Sequence, residues 1–186
     1  MIVLLRHGQT EWSLSGQHTG ATDIPLTADG EQQARDARAR MPTTDFAHVL
    51  VSPRQRARRT AELAGIADDA TVTDDLVEWD YGDYEGRTTD EIHESAPGWY
   101  LWEDGCPGGE SPAEVEERVD RLIERVCDLD GDVALVAHGH VLRAVGARWL
   151  RSPIELGGRL KLGTAAVCVL TTEHDRRAIE FWNRAA

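Results

Sequence analysis

Two short apolar runs constrain this chain more than any other feature. Ile2 to Leu5 stops at Arg6-His7-Gly8, and Asp132 to Ala137 stops at His138-Gly139-His140. Such runs are too short for a packed helix and too continuous for a strand with one wet face. Each reads as a strand buried on both sides, typical of the centre of a parallel sheet. Val49-Leu50-Val51 is a third. Helical patterns separate them. Thr27 to Arg40 is rich in Ala, Gln, Glu and Arg, with Thr27 near its start. Ser52-Pro53-Arg54-Gln55 opens a second helix, with Ser52 as N-cap, proline at the first position and Gln55 completing a capping box; it runs to about Ala64 and ends at Gly65. Ser111-Pro112-Ala113-Glu114 opens a third, to about Cys127, and Val141 to Leu150 is a fourth. Ala165 to Leu170 and Ala178 to Trp182 are further strands. Alternating strands and helices predict an α/β domain with a mainly parallel sheet.

In such sheets ligands bind beyond the carboxyl ends of the strands. Three strands here end in chemistry-bearing residues: Arg6-His7-Gly8, Ser52 leading to Arg56, and His138-Gly139. The pattern therefore gathers them at one edge. Arg6 and Arg56 supply planar forks of N–H donors suited to a tetrahedral oxyanion. A glycine after each histidine permits a sharp turn and close approach of a ligand. The helix opening at Ser52 adds its dipole and free N–H groups. Flanking arginines also depress a histidine pKa and keep the imidazole neutral and nucleophilic. Residue by residue, blander readings stand beside this one. His7 alone is compatible with an ordinary hydrogen-bonded histidine, Arg6 with a surface ion pair, and Arg54 to Arg59 with a solvated helix face. His138-Gly139-His140 is compatible with a metal pair, although no carboxylate or cysteine stands at ligand spacing. Glu78 is anonymous among 33 acids.

Composition narrows the partners. A formal charge of -13 argues against nucleic acid or an anionic membrane, which need a basic face. Lys161 is the only lysine, so an anion site must be built from arginine. Cys106, Cys127 and Cys168 show no CxxC spacing and read as reduced thiols, neither disulfide framework nor zinc site. The N-terminus lacks a signal-peptide h-region, and no apolar run approaches membrane-spanning length, so a cytoplasmic location is expected. The length of 186 residues fits a single domain over residues 1–186, with an insertion at about 76–111. That insertion carries Trp79, Tyr81, Tyr84, Trp99, Tyr100 and Trp102 and one short helix around Thr89 to Glu94. It forms either a substrate-side wall or a small satellite core.

Leu5-Arg6-His7-Gly8-Gln9-Thr10-Glu11-Trp12 resembles the signature of the histidine phosphatase superfamily, the clan of cofactor-dependent phosphoglycerate mutase. The likeness continues through Thr19-Gly20, Asp23 to Thr27, Gly30-Glu31, Ser52 to Ala57 with Thr60-Ala61-Glu62, Glu78 to Gly82, Gly108 to Ser111, and Val136 to His140. The segments keep the family's order and span nearly the whole chain. The resemblance implies a three-layer αβα fold of the phosphoglycerate mutase-like type and branch 1 of the superfamily. It implies that His7 takes the phosphoryl group and that Arg6, Arg56 and His138 bind phosphate and steady the transition state. It implies that Glu78 gives the leaving oxygen its proton, and that Ser13, Thr19, Gly20 and Gly139 add phosphate contacts. Position 13 is asparagine in the mutases. Arg56 stands four residues after Ser52, as the family pattern requires, with Arg54 and Arg58 beside it. No metal and no cofactor is called for.

Hydrolysis is favoured over mutase chemistry. A mutase holds a second phosphate with cations in an insertion after its Glu-x-x-Tyr-Gly segment; here Arg87 to Glu94 offers one arginine and several acids, and the stretch to Glu110 adds no cation. The strings Gln9 to Ser13, Tyr81 to Gly86, Trp102 to Gly105 and Ala137 to Arg143 look like a branch holding actinobacterial acid phosphatases and fungal sedoheptulose bisphosphatase. The expected substrate is a small phosphate monoester, a sugar phosphate or a broad set of such esters. The alternatives are a phosphoglycerate mutase and a catalytically silent phospho-ligand binding module. A two-fold homodimer through the C-terminal strands is allowed but not required.

Overall fold

The computed structural model describes residues 1–185. Six strands form one sheet: β1 (Ile2–Arg6), β2 (His48–Val51), β3 (Thr71–Val72), β4 (Val133–Ala137), β5 (Val167–Glu173) and β6 (Arg176–Arg184), in spatial order β3-β2-β4-β1-β5-β6. The first four in that order run parallel; β5 pairs antiparallel with β1 and β6 with β5. The antiparallel edge follows from its turn. His174 and Asp175 join β5 to β6 with φ of 49° and 60°, the backbone a two-residue hairpin needs to match the twist of its strands.

The expected strand runs are buried on both faces. On β1, Ile2 and Leu4 join one core, with Leu135, Leu122 and Val145; Val3 and Leu5 join the other, with Val136, Ala57 and Ala61. Each fully buried leucine contributes about 1.5–3 kcal/mol relative to exposure. Helices cover both faces. In chain order they are α1 (Glu11–Ser15), α2 (Ala28–Ala37), α3 (Gln55–Leu63), α4 (Thr89–Ser95), α5 (Leu101–Asp104), α6 (Pro112–Cys127) and α7 (Gly139–Trp149). The sequence reading contained no counterpart of α1, α5 or β3. Among the described residues no helix is long and apolar enough to cross a membrane.

Local capping chemistry explains most helix starts. Thr27 caps α2, and Ser111 with Glu114 forms the expected capping box of α6 with proline in its first turn. The box expected of Ser52 and Gln55 does not form. The helix begins at Gln55, Arg54 occupies its cap position without a side-chain bond, and the Gln55 N–H donates to Asp23 Oδ1 at 2.9 Å. Ser52 is instead engaged by a distant histidine.

The aromatic-rich segment forms no satellite core, and its Glu78, Tyr81 and Thr89 line a cavity in front of His7. Trp79, Tyr81, Trp99 and Trp102 belong to the main core beside α6 and α7. Trp79 and Trp102 meet edge to face with centroids 5.4 Å apart. The polar edges of two rings are satisfied locally, Trp79 donating to the Glu110 carbonyl and Trp99 to that of Gly105.

Candidate active site

Register brings the two histidines together. Arg6 on β1 lies opposite Ala137 on the neighbouring β4, so the next residue of each strand, His7 and His138, leaves the sheet at the same level. Their ring centroids are 5.2 Å apart. The backbone of His7 is pinned on both sides: its N–H donates to Ala137 and its carbonyl accepts from Ala165. Its Nδ1 lies 2.7 Å from the Gly8 carbonyl. A carbonyl only accepts, so Nδ1 carries the ring proton and Nε2 keeps a free lone pair in the neutral ring. Burial pushes the His7 pKa well below that of an ordinary imidazole, and the Arg6 and Arg56 guanidinium groups push it the same way. His7 is thus a buried neutral imidazole with one committed and one free nitrogen.

Arg6 flanks it. One guanidinium nitrogen, Nη1, donates to the Leu162 carbonyl at 2.6 Å, while Nε–H is buried with no partner among the described residues. Such an orphaned donor costs about 1–3 kcal/mol, a cost an arriving oxyanion relieves. Gly139, first residue of α7, lies against this group: a Cβ there would meet Arg6 Nε and Cζ at 3.4 Å, an ordinary van der Waals contact. Gly8 has a different reason to be glycine. A Cβ there would sit 2.2 Å from the Gly30 carbonyl oxygen, so it serves the crossing of this loop over α2, not the approach of a ligand.

Arg56 and His138 stand behind His7, and neither lines the cavity in front of it. Arg56 is fully buried, whereas Arg58 is exposed on the same helix. Its Nε donates to His138 Nδ1 at 3.1 Å, Nη1 to the Thr22 carbonyl, and Nη2 to the carbonyls of Thr19 and Gly20. Because Nδ1 of His138 accepts, its proton sits on Nε2, which donates to Ser52 Oγ at 2.7 Å. Burial, then Arg56, His7 and Arg6, hold the His138 pKa well below its usual value. Both groups were expected to grip an anion directly. Here Arg56 gives four of its five N–H groups to the 19–22 loop and to His138, and its charge adds positive field at His7. Gly20 is likewise withdrawn, its N–H held by the Glu85 carboxylate at 2.9 and 3.0 Å.

The cavity in front of His7 has a volume of about 240 Å³, and Arg6, Ser13, Thr19, Glu78 and Gly139 line it. Glu78 is buried and sits on the first turn of α7. Its Oε2 accepts from the His140 N–H at 2.9 Å, and its Oε1 from the N–H groups of Val141 at 2.8 Å and Trp79 at 3.0 Å. The positive end of the helix thereby fixes the carboxylate beside the cavity. The hydroxyls of Ser13 and Thr19 face the cavity but donate locally, to the carbonyls of Thr10 and Gln17. His138 and His140 diverge, one toward Ser52 and the other toward Tyr81, so they form no metal pair.

Sequence reasoning gave no reading to Arg143 or His18 for the site, yet both line the cavity, together with Tyr81 of the aromatic segment and His140. Arg143 stands four residues after Gly139 on α7, so helical periodicity places it on the same face. It donates from Nε to Gly157 and from Nη2 to Gly158, and its guanidinium stacks 5.0 Å over Trp102.

The chain matches the histidine phosphatase superfamily (branch 1) over residues 2–185. It is 42% identical to an acid phosphatase of Mycobacterium tuberculosis over 182 residues, covering 96% of this chain and 89% of that protein. It is 38% identical to a sedoheptulose 1,7-bisphosphatase of Saccharomyces cerevisiae over 179 residues, covering 79% of this chain and 66% of that protein. The solved structure of an open reading frame product of Mycobacterium tuberculosis superposes with a TM-score of 0.94 at 41% identity, covering 99% of this chain and 97% of the other.

Proposed function

The chain belongs to the histidine phosphatase superfamily, branch 1, and from that premise we propose that this phosphatase hydrolyses small phosphate monoesters, sugar phosphates or a broad set of them, through a phosphohistidine on His7. The observation that carries the proposal is the state of His7: a neutral imidazole whose Nδ1–H is tied to Gly8 and whose Nε2 is free, beside an arginine with an unspent buried donor.

In the proposed reaction Nε2 of His7 attacks phosphorus in line, and the bond from phosphorus to the ester oxygen breaks. The Gly8 carbonyl stabilises the charge that develops on the ring through Nδ1–H. Arg6 and the N-terminus of α7 at Gly139 take the equatorial oxygens, where charge accumulates. Ser13 and Thr19 turn their hydroxyls from local carbonyls toward the same oxygens. Glu78 takes up the proton of the ester's monoanion as it binds and passes it to the departing alkoxide, so the alcohol leaves neutral. Water then attacks phosphorus, Glu78 takes its proton, and phosphate departs from the regenerated imidazole. Arg56 and His138 act from behind as the positive, rigid backing of His7.

Hydrolysis is favoured over transfer to a second hydroxyl because the insertion brings no cation to the cavity. Arg87 lies over the Tyr84 ring and binds the Glu91 carbonyl and Ser95 Oγ. The test is hydrolysis of an aryl phosphate at mildly acid pH, with acid-labile phosphate trapped on the protein. His7→Ala abolishes both turnover and trapping; residual activity near wild type overturns the assignment. Isomerisation of 3-phosphoglycerate with added bisphosphate identifies a mutase instead.

A further inference from the structure

Three uncharged groups on the cavity wall remain unused by this chemistry. The rings of His18 and His140 stand parallel, 3° apart in plane, with centroids separated by 6.1 Å. His18 Nδ1 lies 2.8 Å from the Arg87 carbonyl, so it carries the proton and His18 Nε2 is an acceptor. Tyr81 is buried, and its hydroxyl is 2.6 Å from His140 Nδ1. That imidazole is the phenol's one partner among the described residues. Burial and the charge of Glu78 hold the phenol pKa well above its usual value. A neutral buried phenol with one partner spends its proton on that partner, so the phenol donates, His140 Nδ1 accepts, and the proton of neutral His140 sits on Nε2. Burial, then Arg143, His18 and Arg6, keep this ring neutral. Neither Nε2 has a protein partner, and neither is sealed from solvent. The wall thus presents one acceptor and one donor, neither of them charged.

Arg6 and Arg143 line the same cavity and supply its positive charge, whereas the His18 lone pair offers an anion nothing to bind. An alkyl chain leaves both nitrogens unpaired. An alcohol both gives and takes a hydrogen bond at one oxygen. We propose that His18 and His140 form a subsite for a hydroxyl of the leaving alcohol, with Tyr81 as the positioning residue that fixes the His140 tautomer, so that the substrate is a polyol phosphate. This rests on the phosphatase reading above.

The experiment compares glycerol 3-phosphate with propyl phosphate, which has the same carbon count and no hydroxyl. A site that hydrogen-bonds an alcohol rejects the analogue lacking it by as much as ~10⁴ when fully buried; in this open cavity kcat/KM is expected to favour glycerol 3-phosphate by about 100-fold. Tyr81→Phe and His18→Leu each bring that ratio to within a few-fold of one. A wild-type ratio near one, or a ratio unchanged in both variants, overturns the subsite while leaving the phosphatase reading intact. Failure of every monoester to turn over sinks both. Ring-nitrogen NMR of the unmodified protein checks the geometry independently of variant folding: His140 protonated on Nδ1 overturns the proposal, and protonation on Nε2 supports it.

Discussion

Replacing Glu78 with glutamine separates its two roles. The carboxylate accepts three backbone N–H groups, two on Oε1 and one on Oε2. A glutamine keeps its oxygen where two donors converge, on the Trp79 and Val141 N–H groups. Its amide nitrogen then faces the His140 N–H, where the carboxylate oxygen sat 2.9 Å away. One buried donor–donor conflict costs about 1–3 kcal/mol, which lowers Tm by several degrees at about 2–4 °C per kcal/mol for a chain of this size. The catalytic loss depends on the leaving group. An alkyl phosphate needs a proton on the departing alkoxide, so Glu78→Gln lowers its kcat/KM by about 10²–10⁴. A nitrophenyl phosphate releases a stable phenolate, and its kcat/KM falls about 10-fold or less. Parallel assays on the two esters, with a thermal melt of each protein, decide the matter. Equal losses on both esters refute the proton-donor role, and an unchanged Tm refutes the account of the three donors.

Two further outcomes follow from the buried histidines. Ser52→Ala leaves the His138 Nε2–H without an acceptor and lowers stability by about 1–3 kcal/mol; an unchanged urea midpoint contradicts the Ser52–His138 bond. His7, His138 and His140 have pKa values held well below the ordinary one, burial being the largest cause in each. The unfolded chain therefore binds protons near pH 6.5 that the folded chain refuses, so stability is fully present above about pH 6.5 and declines as pH drops, by up to about 1.4 kcal/mol per unit for each ring. Urea midpoints at about pH 7.5 and about pH 5.5 measure this; a midpoint that stays flat or rises toward acid refutes the buried neutral state.

Much of this molecule was legible along the chain because the signals involved are local. Four consecutive apolar residues at Ile2–Leu5 and five at Val133–Ala137 leave little choice but a strand buried on both faces. Ser111, Pro112 and Glu114 carry their own helix start. Histidine at the end of each apolar run, once the runs lie side by side in a parallel sheet, already implies neighbouring imidazoles at one edge. The same local logic failed at Ser52. Its capping pattern is sound, but the hydroxyl had a competing partner 86 residues away, and His138 won it. Arg56 shows how much packing adds to a local signal. Its type and spacing announce a phosphate fork, and its depth in the fold also gives it His138 and the carbonyls of Thr19, Gly20 and Thr22 as partners. The aromatic insertion had two readings, and packing against α6 and α7 made it part of the main core. Propensity and periodicity act over a few neighbouring residues, and they set the elements and the edge where the chemistry gathers. A donor or an aromatic ring takes its partner from whatever packing brings within about 3–4 Å, and that choice is made across the sheet, between segments the chain order keeps far apart.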